Sequence, residues 1–188
     1  VTGANRGGVA GLDEEQRMNL VARAIEAARQ VDEHTHISLR VIQPWGEYLS
    51  QSKNRLSPIQ FVDTLRRCGV RFAEVNLDLR IGDSPAPTLW RDCLSLSQLI
   101  DQWSLLHVPL NVMLTVPAAA PGKEAGVEEV QVQWLEETMR MCLAKERVVG
   151  IYYSNWNQHD ANRPHTALVN PDGVPRATLD LLQSMSNE

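Results

Sequence analysis

Three stretches of the chain carry polar and aromatic residues where chemistry could be done. In VRFAEVNLDL, residues Glu74, Asn76 and Asp78 alternate, so an extended backbone puts them on one face, with Arg80 just beyond. HISLRVIQ leads into Gln43, Pro44, Trp45, Gly46, Glu47 and Tyr48, and VVGIYYSNW leads through Asn155 and Trp156 into Asn157, Gln158, His159 and Asp160. Carboxylates and amides hydrogen-bond hydroxyl groups, and an indole face covers the apolar side of a pyranose ring, so the set points to sugar recognition. Within it, Glu47, Glu74 and Asp160 are the candidates for acid and base work, and Trp45, Asn76, Asn155, Trp156, Gln158 and His159 for holding a ligand.

Each residue also has a structural reading. A carboxylate in an apolar strand needs a partner, and Arg40 or Arg71 would serve Glu74. Trp45 and Trp156 would also suit packing at the rim of a fold, and Glu47 would suit solvent next to a helix start. His159 and Asp160 are adjacent and point different ways in an extended chain, which favours a loop pair over a base and its orienting carboxylate. No Ser nucleophile carries a Gly-x-Ser-x-Gly elbow.

The elements that must position these residues alternate along the chain. Helical spacing runs from Asp13 to Val31, from a Ser57 cap with Pro58 behind it to a stop at Gly69, from Leu94 to Leu106, from Val127 to Lys145, and from Pro175 to Met185. Between them lie strand-like runs at His36–Gln43, Val70–Leu79, Pro109–Pro117 and Val148–Trp156, the third apolar on both faces as a buried parallel strand should be. Helix then strand, repeated with short connections, predicts right-handed crossovers and an α/β fold with a parallel sheet covered by helices. Either an open doubly wound sheet or part of a (β/α)8 TIM barrel fits that order. A whole barrel takes about 250 residues, so four strands in 188 residues predict roughly half of one, as a single partial-barrel domain over residues 1–188. In both architectures ligands sit at the C-terminal ends of the strands, where the polar stretches fall.

Composition narrows the partners. With 43% hydrophobic and 22% charged residues the chain is ordinary for a globular protein, and a formal charge of −5 without a Lys/Arg block argues against nucleic acid and anionic membranes. No run approaches the roughly 18 apolar residues of a spanning helix. Cys68, Cys93 and Cys142 are odd in number and in no ligand spacing, so they are expected to be buried thiols, with neither metal nor cofactor called for.

The opening VTGANRGGVAG partly matches the TGxxxGxG turn of NAD(P)-dependent short-chain dehydrogenases through Thr2, Gly3 and Gly7. Val9 stands where the last glycine belongs, no strand precedes the motif, and helical spacing begins only near Asp13. That family's Tyr-x-x-x-Lys pair fails too, since Ser52 follows Tyr48 at that distance. A glycine-rich loop is the better account.

The closing segment, VVGIYYSNWNQHDANRPHTALVNPDGVPRATLDLL, resembles the last strand and helix of the (β/α)8 glycoside hydrolases of family 10, the xylanases. Gly150, Ile151, Trp156 and Asp160 match the strand and its Asp-containing loop; Leu168, Asp172, Gly173, Pro175 and Arg176 match the passage behind it. AIEAARQVDEHTHISLRV is similar to the family's fourth helix and fifth strand, and LSQLIDQWSLLHVPLNVMLTV to its seventh helix and strand. On that register the chain runs from the end of strand four through helix eight, with the upstream half outside it. The resemblance implies a β-linked polysaccharide such as xylan as partner, no cofactor, and a secreted or periplasmic setting. It also implies a retaining pair of glutamates, one after strand four and one at the end of strand seven, about 5 Å apart. The corresponding positions read VTGAN and Met113, Leu114, Thr115, with no carboxylate. Two readings follow: hydrolysis by another acidic pair, drawn from Glu47, Glu74 and Asp160, or a non-catalytic carbohydrate-binding barrel that keeps Trp45 and Trp156.

Overall fold

A computed structural model describes residues 12–51, 55–81, 89, 91–119, 125–157 and 165–186. The opening glycine-rich stretch and the Gln158, His159 and Asp160 loop lie outside them. Four strands, β1 (Ser38–Ile42), β2 (Glu74–Arg80), β3 (Leu110–Thr115) and β4 (Val148–Tyr153), alternate with helices α1 (Glu14–Val31), α2 (Pro58–Arg67), α3 (Cys93–Ser104), α4 (Val127–Leu143) and α5 (Ala177–Met185).

The helices begin where local chemistry allows. Asp13 and Ser57 each close a capping box with the glutamine three residues on, satisfying backbone N–H groups that the first turn leaves open. Pro58 follows Ser57 at a position where a missing N–H costs nothing. Asp92 accepts from the Ser95 N–H at 2.8 Å to start α3. Their apolar stripes then meet the sheet: Val21 and Ile25 from α1, Phe61, Val62 and Leu65 from α2, and Leu96, Leu99, Ile100 and Trp103 from α3 join one buried cluster with Val75, Leu77, Leu79, Val112 and Leu114.

All four strands are parallel and hydrogen-bonded in chain order, β1-β2-β3-β4. A doubly wound sheet reverses its strand order at a switch point, whereas a barrel adds each strand beside the last. The observed order is the barrel's.

The register sorts side chains onto two faces. Leu39 and Val41, Val75, Leu77 and Leu79, and Leu110, Val112 and Leu114 face the helices. The other face carries Ser38 beside Glu74, then Arg40, Asn76, Asn111 and Gly150 in one row, Ile42, Asp78, Met113 and Tyr152 in the next, and Arg80 beside Thr115 at the end. In a closed barrel this polar face lines the interior.

β4 departs from regular pairing. The register slips between Leu110 and Asn111, so Val149 is an extra residue and Gly150 comes opposite Asn111. A Cβ at Gly150 would stand 2.5 Å from Asn111 Oδ1, so the close approach requires glycine. Among the described residues β4 pairs on one side only, and Val149 and Tyr152 are largely exposed.

Two expectations are corrected. Only Cys142 is a buried thiol; Cys68 is exposed at the end of α2, and Cys93, at the start of α3, is partly exposed. Burial pushes the Cys142 thiol up to about 12, which makes it inert. Neither Arg40 nor Arg71 is Glu74's partner: Arg40 binds Asp78 with its Nε at 3.0 Å and Nη2 at 2.6 Å, and Glu74 meets His36 at 3.2 Å.

Candidate functional site

Behind β1 the chain turns sharply. The Gly46 N–H donates to the Gln43 carbonyl at 2.9 Å, closing a turn around Pro44 and Trp45, and a short 3-10 segment, Glu47–Gln51, follows. Gly46 has φ +81 and a Cβ there would meet Pro58 at 2.9 Å, so glycine is what lets the turn lie against the start of α2. The turn carries Trp45 and Glu47 at the C-terminal end of the sheet.

Arg91, just ahead of the α3 cap, reaches the same place from the β2–α3 connection. Its guanidinium lies 5.4 Å from the Trp45 ring centre and its Nη2 stands 3.4 Å from Glu47 Oε1. One face of Trp45 is therefore taken up by a cation–π contact. Glu47 Oε2 and Arg91 Nε are buried without a hydrogen-bond partner. A charge-assisted bond of this type usually spans about 2.7–2.9 Å, so the pair is stretched.

Deeper on the same face, the Asp78 carboxylate is wholly buried between two arginines, Arg40 on Oδ2 and Arg80 Nε on Oδ1 at 2.9 Å. Asn76, one row below, keeps its Oδ1 buried without a partner. Beside Arg80, the Thr115 hydroxyl contacts that of Ser154.

Glu74 sits at the other end. It opens β2, four residues and about 13 Å along the strand from Asp78. Burial raises its pKa, but hydrogen bonds from Asn111, His36 and Ser38 and the His36 charge outweigh that and hold its carboxyl below the ordinary 4.5. Glu47 follows β1 in the turn at the C-terminal ends of the strands, whereas Glu74 opens β2 at the other end of the sheet.

At the end of β4 the predicted residues divide. Trp156 is 61% exposed and presents an open indole. Asn155 is tied down: its Nδ2 donates to Thr166 Oγ1 at 2.7 Å and its carbonyl accepts from the Leu168 N–H. The structure thus brings Trp45 and Glu47 together, places Asn76 below them, leaves Trp156 open on the fourth strand, and puts Glu74 at the opposite end. Arg91 is the residue that sequence patterning missed. It belongs to no periodic run, and its only signal is its place directly ahead of the Asp92 cap. No group of acidic, His or Cys residues among the described ones could hold a metal ion.

Comparison with solved structures agrees with the strand order. Xylanase 10B from Thermotoga petrophila, crystallised with xylobiose, matches all of this chain over 58% of its own length, with a TM-score of 0.70 and 12% identity. The fold is TIM-barrel-like. A family 10 xylanase from Bispora with xylobiose matches 87% of the chain over 52% of its own (TM-score 0.64, 18% identity). A β-glucuronidase from Ruminococcus gnavus matches 93% over 30% of its own (TM-score 0.63, 15% identity). The chain spans a little over half of the xylanases, and its structural neighbours are glycoside hydrolases. No protein-family model matches it, and no curated protein does.

Proposed function

We propose that this chain is a glycoside-hydrolase-like protein that recognises a β-linked polysaccharide such as xylan at the C-terminal ends of its strands. The observation that carries this reading is the cluster of Trp45, Glu47 and Arg91 on the rim, above a polar inner face with a buried, unsatisfied Asn76 Oδ1, together with an exposed Trp156 just beyond the end of β4. Polar groups without protein partners on the ligand-bearing end of a barrel-type sheet are what a sugar's hydroxyls would satisfy, and an exposed indole is what its apolar face would cover. Two xylobiose complexes among the structural neighbours favour a xylan-type ligand.

Roles follow from position. Trp156 is the stacking platform; Trp45 positions Arg91; Asn76 and Glu47 take hydroxyls, and Gln158 and His159, next in sequence, are further candidates. Asn155 ties the end of β4 to Thr166 and Leu168. Binding without turnover is the form of the proposal that the carboxylates favour. Asp78 is committed to two arginines, Glu74 is held ionised at the far end, and on the register that the xylanase resemblance implies, VTGAN and Met113 to Thr115 offer no acid. A proton donor to a leaving sugar instead needs a carboxyl whose pKa is raised. Any hydrolysis would fall to Glu47 with Asp160.

The test is a titration of xylan, glucan and mannan oligosaccharides alongside an assay for new reducing ends. Binding of one class, weakened by Trp156→Ala, is the expected result. Reducing ends that vanish in Glu47→Gln or Asp160→Asn would make the protein a hydrolase, and neither binding nor release would overturn the carbohydrate reading.

A further inference from the structure

Resting on that reading, we propose that Glu47 and Arg91 form a clasp that reads one hydroxyl group of a neutral sugar. A guanidinium presents Nε–H and one Nη–H on the same edge, and a carboxylate beside that edge normally takes both. Here only Nη2 and Oε1 face each other, at 3.4 Å, while Nε and Oε2 are left buried and unsatisfied. Each side is held back by something else. The Arg91 head group is committed to the Trp45 face, and Glu47 is fixed by the Gln43–Gly46 turn and the segment that follows it.

The two vacant atoms are complementary. Nε–H can only donate, and a carboxylate oxygen such as Oε2 can only accept. A hydroxyl does both: it accepts from Nε and donates to Oε2, and so completes the clasp with one group. A carboxylate could answer Arg91 but would face Glu47's own negative oxygen, and an ether oxygen could not donate. The geometry thus selects a neutral pyranose hydroxyl over a uronic acid. The Arg91 side chain is 29% exposed, which puts the clasp within reach of the surface. A site built to pair a hydroxyl rejects an analogue lacking it, because its buried groups are then left unpaired.

The experiment compares methyl β-xylotrioside with its single-deoxy versions by calorimetry, on the wild type, Glu47→Gln and Arg91→Lys. Removal of one particular hydroxyl is expected to weaken wild-type binding about tenfold, with each variant weakened similarly toward the parent sugar. Toward that one deoxy sugar the variants should bind as the wild type does, since the partner is already gone. Unfolding midpoints show that each variant is folded, and either variant alone suffices for the cycle. If the wild type binds the trioside but neither variant changes the pattern over the deoxy series, the clasp is overturned and the carbohydrate reading stands. A preference for a glucuronic-acid-bearing oligomer that disappears in Arg91→Lys would assign Arg91 to a carboxylate and overturn it too. No binding of any β-glycan overturns both.

Discussion

The two ends of the sheet are built from similar residues to different standards. At the N-terminal end, Glu74 has Asn111, His36 and Ser38 around it, and the close approach of Gly150 to Asn111 fixes the geometry. At the C-terminal end, Glu47 has a single stretched contact and an oxygen with no partner, and Arg91 has a vacant donor. A buried polar atom left unpaired costs about 1–3 kcal/mol, so a chain that satisfies one carboxylate and not the other is spending stability at the second. In barrel-type folds the N-terminal end serves stability and the C-terminal end carries ligands, and satisfaction of polar groups follows the same division here.

The sharpest way to break that division lies between the two ends. Asp78 is the carboxylate that locks the middle of the face, and Asp78→Asn removes the charge that Arg40 and Arg80 share. Losing one partner of a buried ionic cluster costs about 3–5 kcal/mol, and the partial exposure of both arginines lowers the expectation to about 2–3 kcal/mol in urea unfolding. A loss below about 0.5 kcal/mol would show that the inner face is not held by this cluster.

Glu74→Gln is expected to cost about 1–2 kcal/mol at neutral pH and to leave sugar binding unchanged. The sign of its pH dependence is fixed by its lowered pKa. The folded state binds the Glu74 proton less readily than the unfolded chain, so the stabilisation is present above about 4.5 and disappears as pH falls through the lower folded value. Stability of the wild type and of Glu74→Gln should therefore converge on acidification. A difference that persists at low pH would mean that shape, not charge, holds this corner.

Trp156→Ala should have the smallest effect on stability, within about 0.5 kcal/mol, because the indole is 61% exposed. Its effect on β-glycan affinity should be about tenfold. A large loss of stability with unchanged affinity would reverse the roles assigned to the two ends.

Much of the arrangement was legible in the chain. Ser57 and Pro58 mark the start of α2 as read, the alternation at Glu74, Asn76 and Asp78 does put these residues on one face, and the repeated helix–strand order yields the parallel sheet. Strand starts were less legible. The runs from His36 and Val70 read as strand, yet pairing begins at Ser38 and Glu74, because an apolar run does not say where its neighbour comes into register. The same gap hid which end of the sheet Glu74 occupies: alternation assigns a face, and only the strand's first paired residue assigns an end. The bulge at Val149 was hidden as well, since Gly150 in a strand marks a close approach without naming what approaches. Arg91 was invisible because a loop residue acquires its partner from the turn of another loop, 44 positions away in sequence.

The half-paired ribbon of β4 has a consequence for handling the molecule. Val149 and Tyr152 stand exposed along a strand that has a neighbour on one side only among the described residues. A bare strand edge is a template on which further strands can add, so residues 1–188 taken alone are expected to self-associate along this ribbon when concentrated. A lysine at position 149, outside the regular ladder, is the place to blunt it.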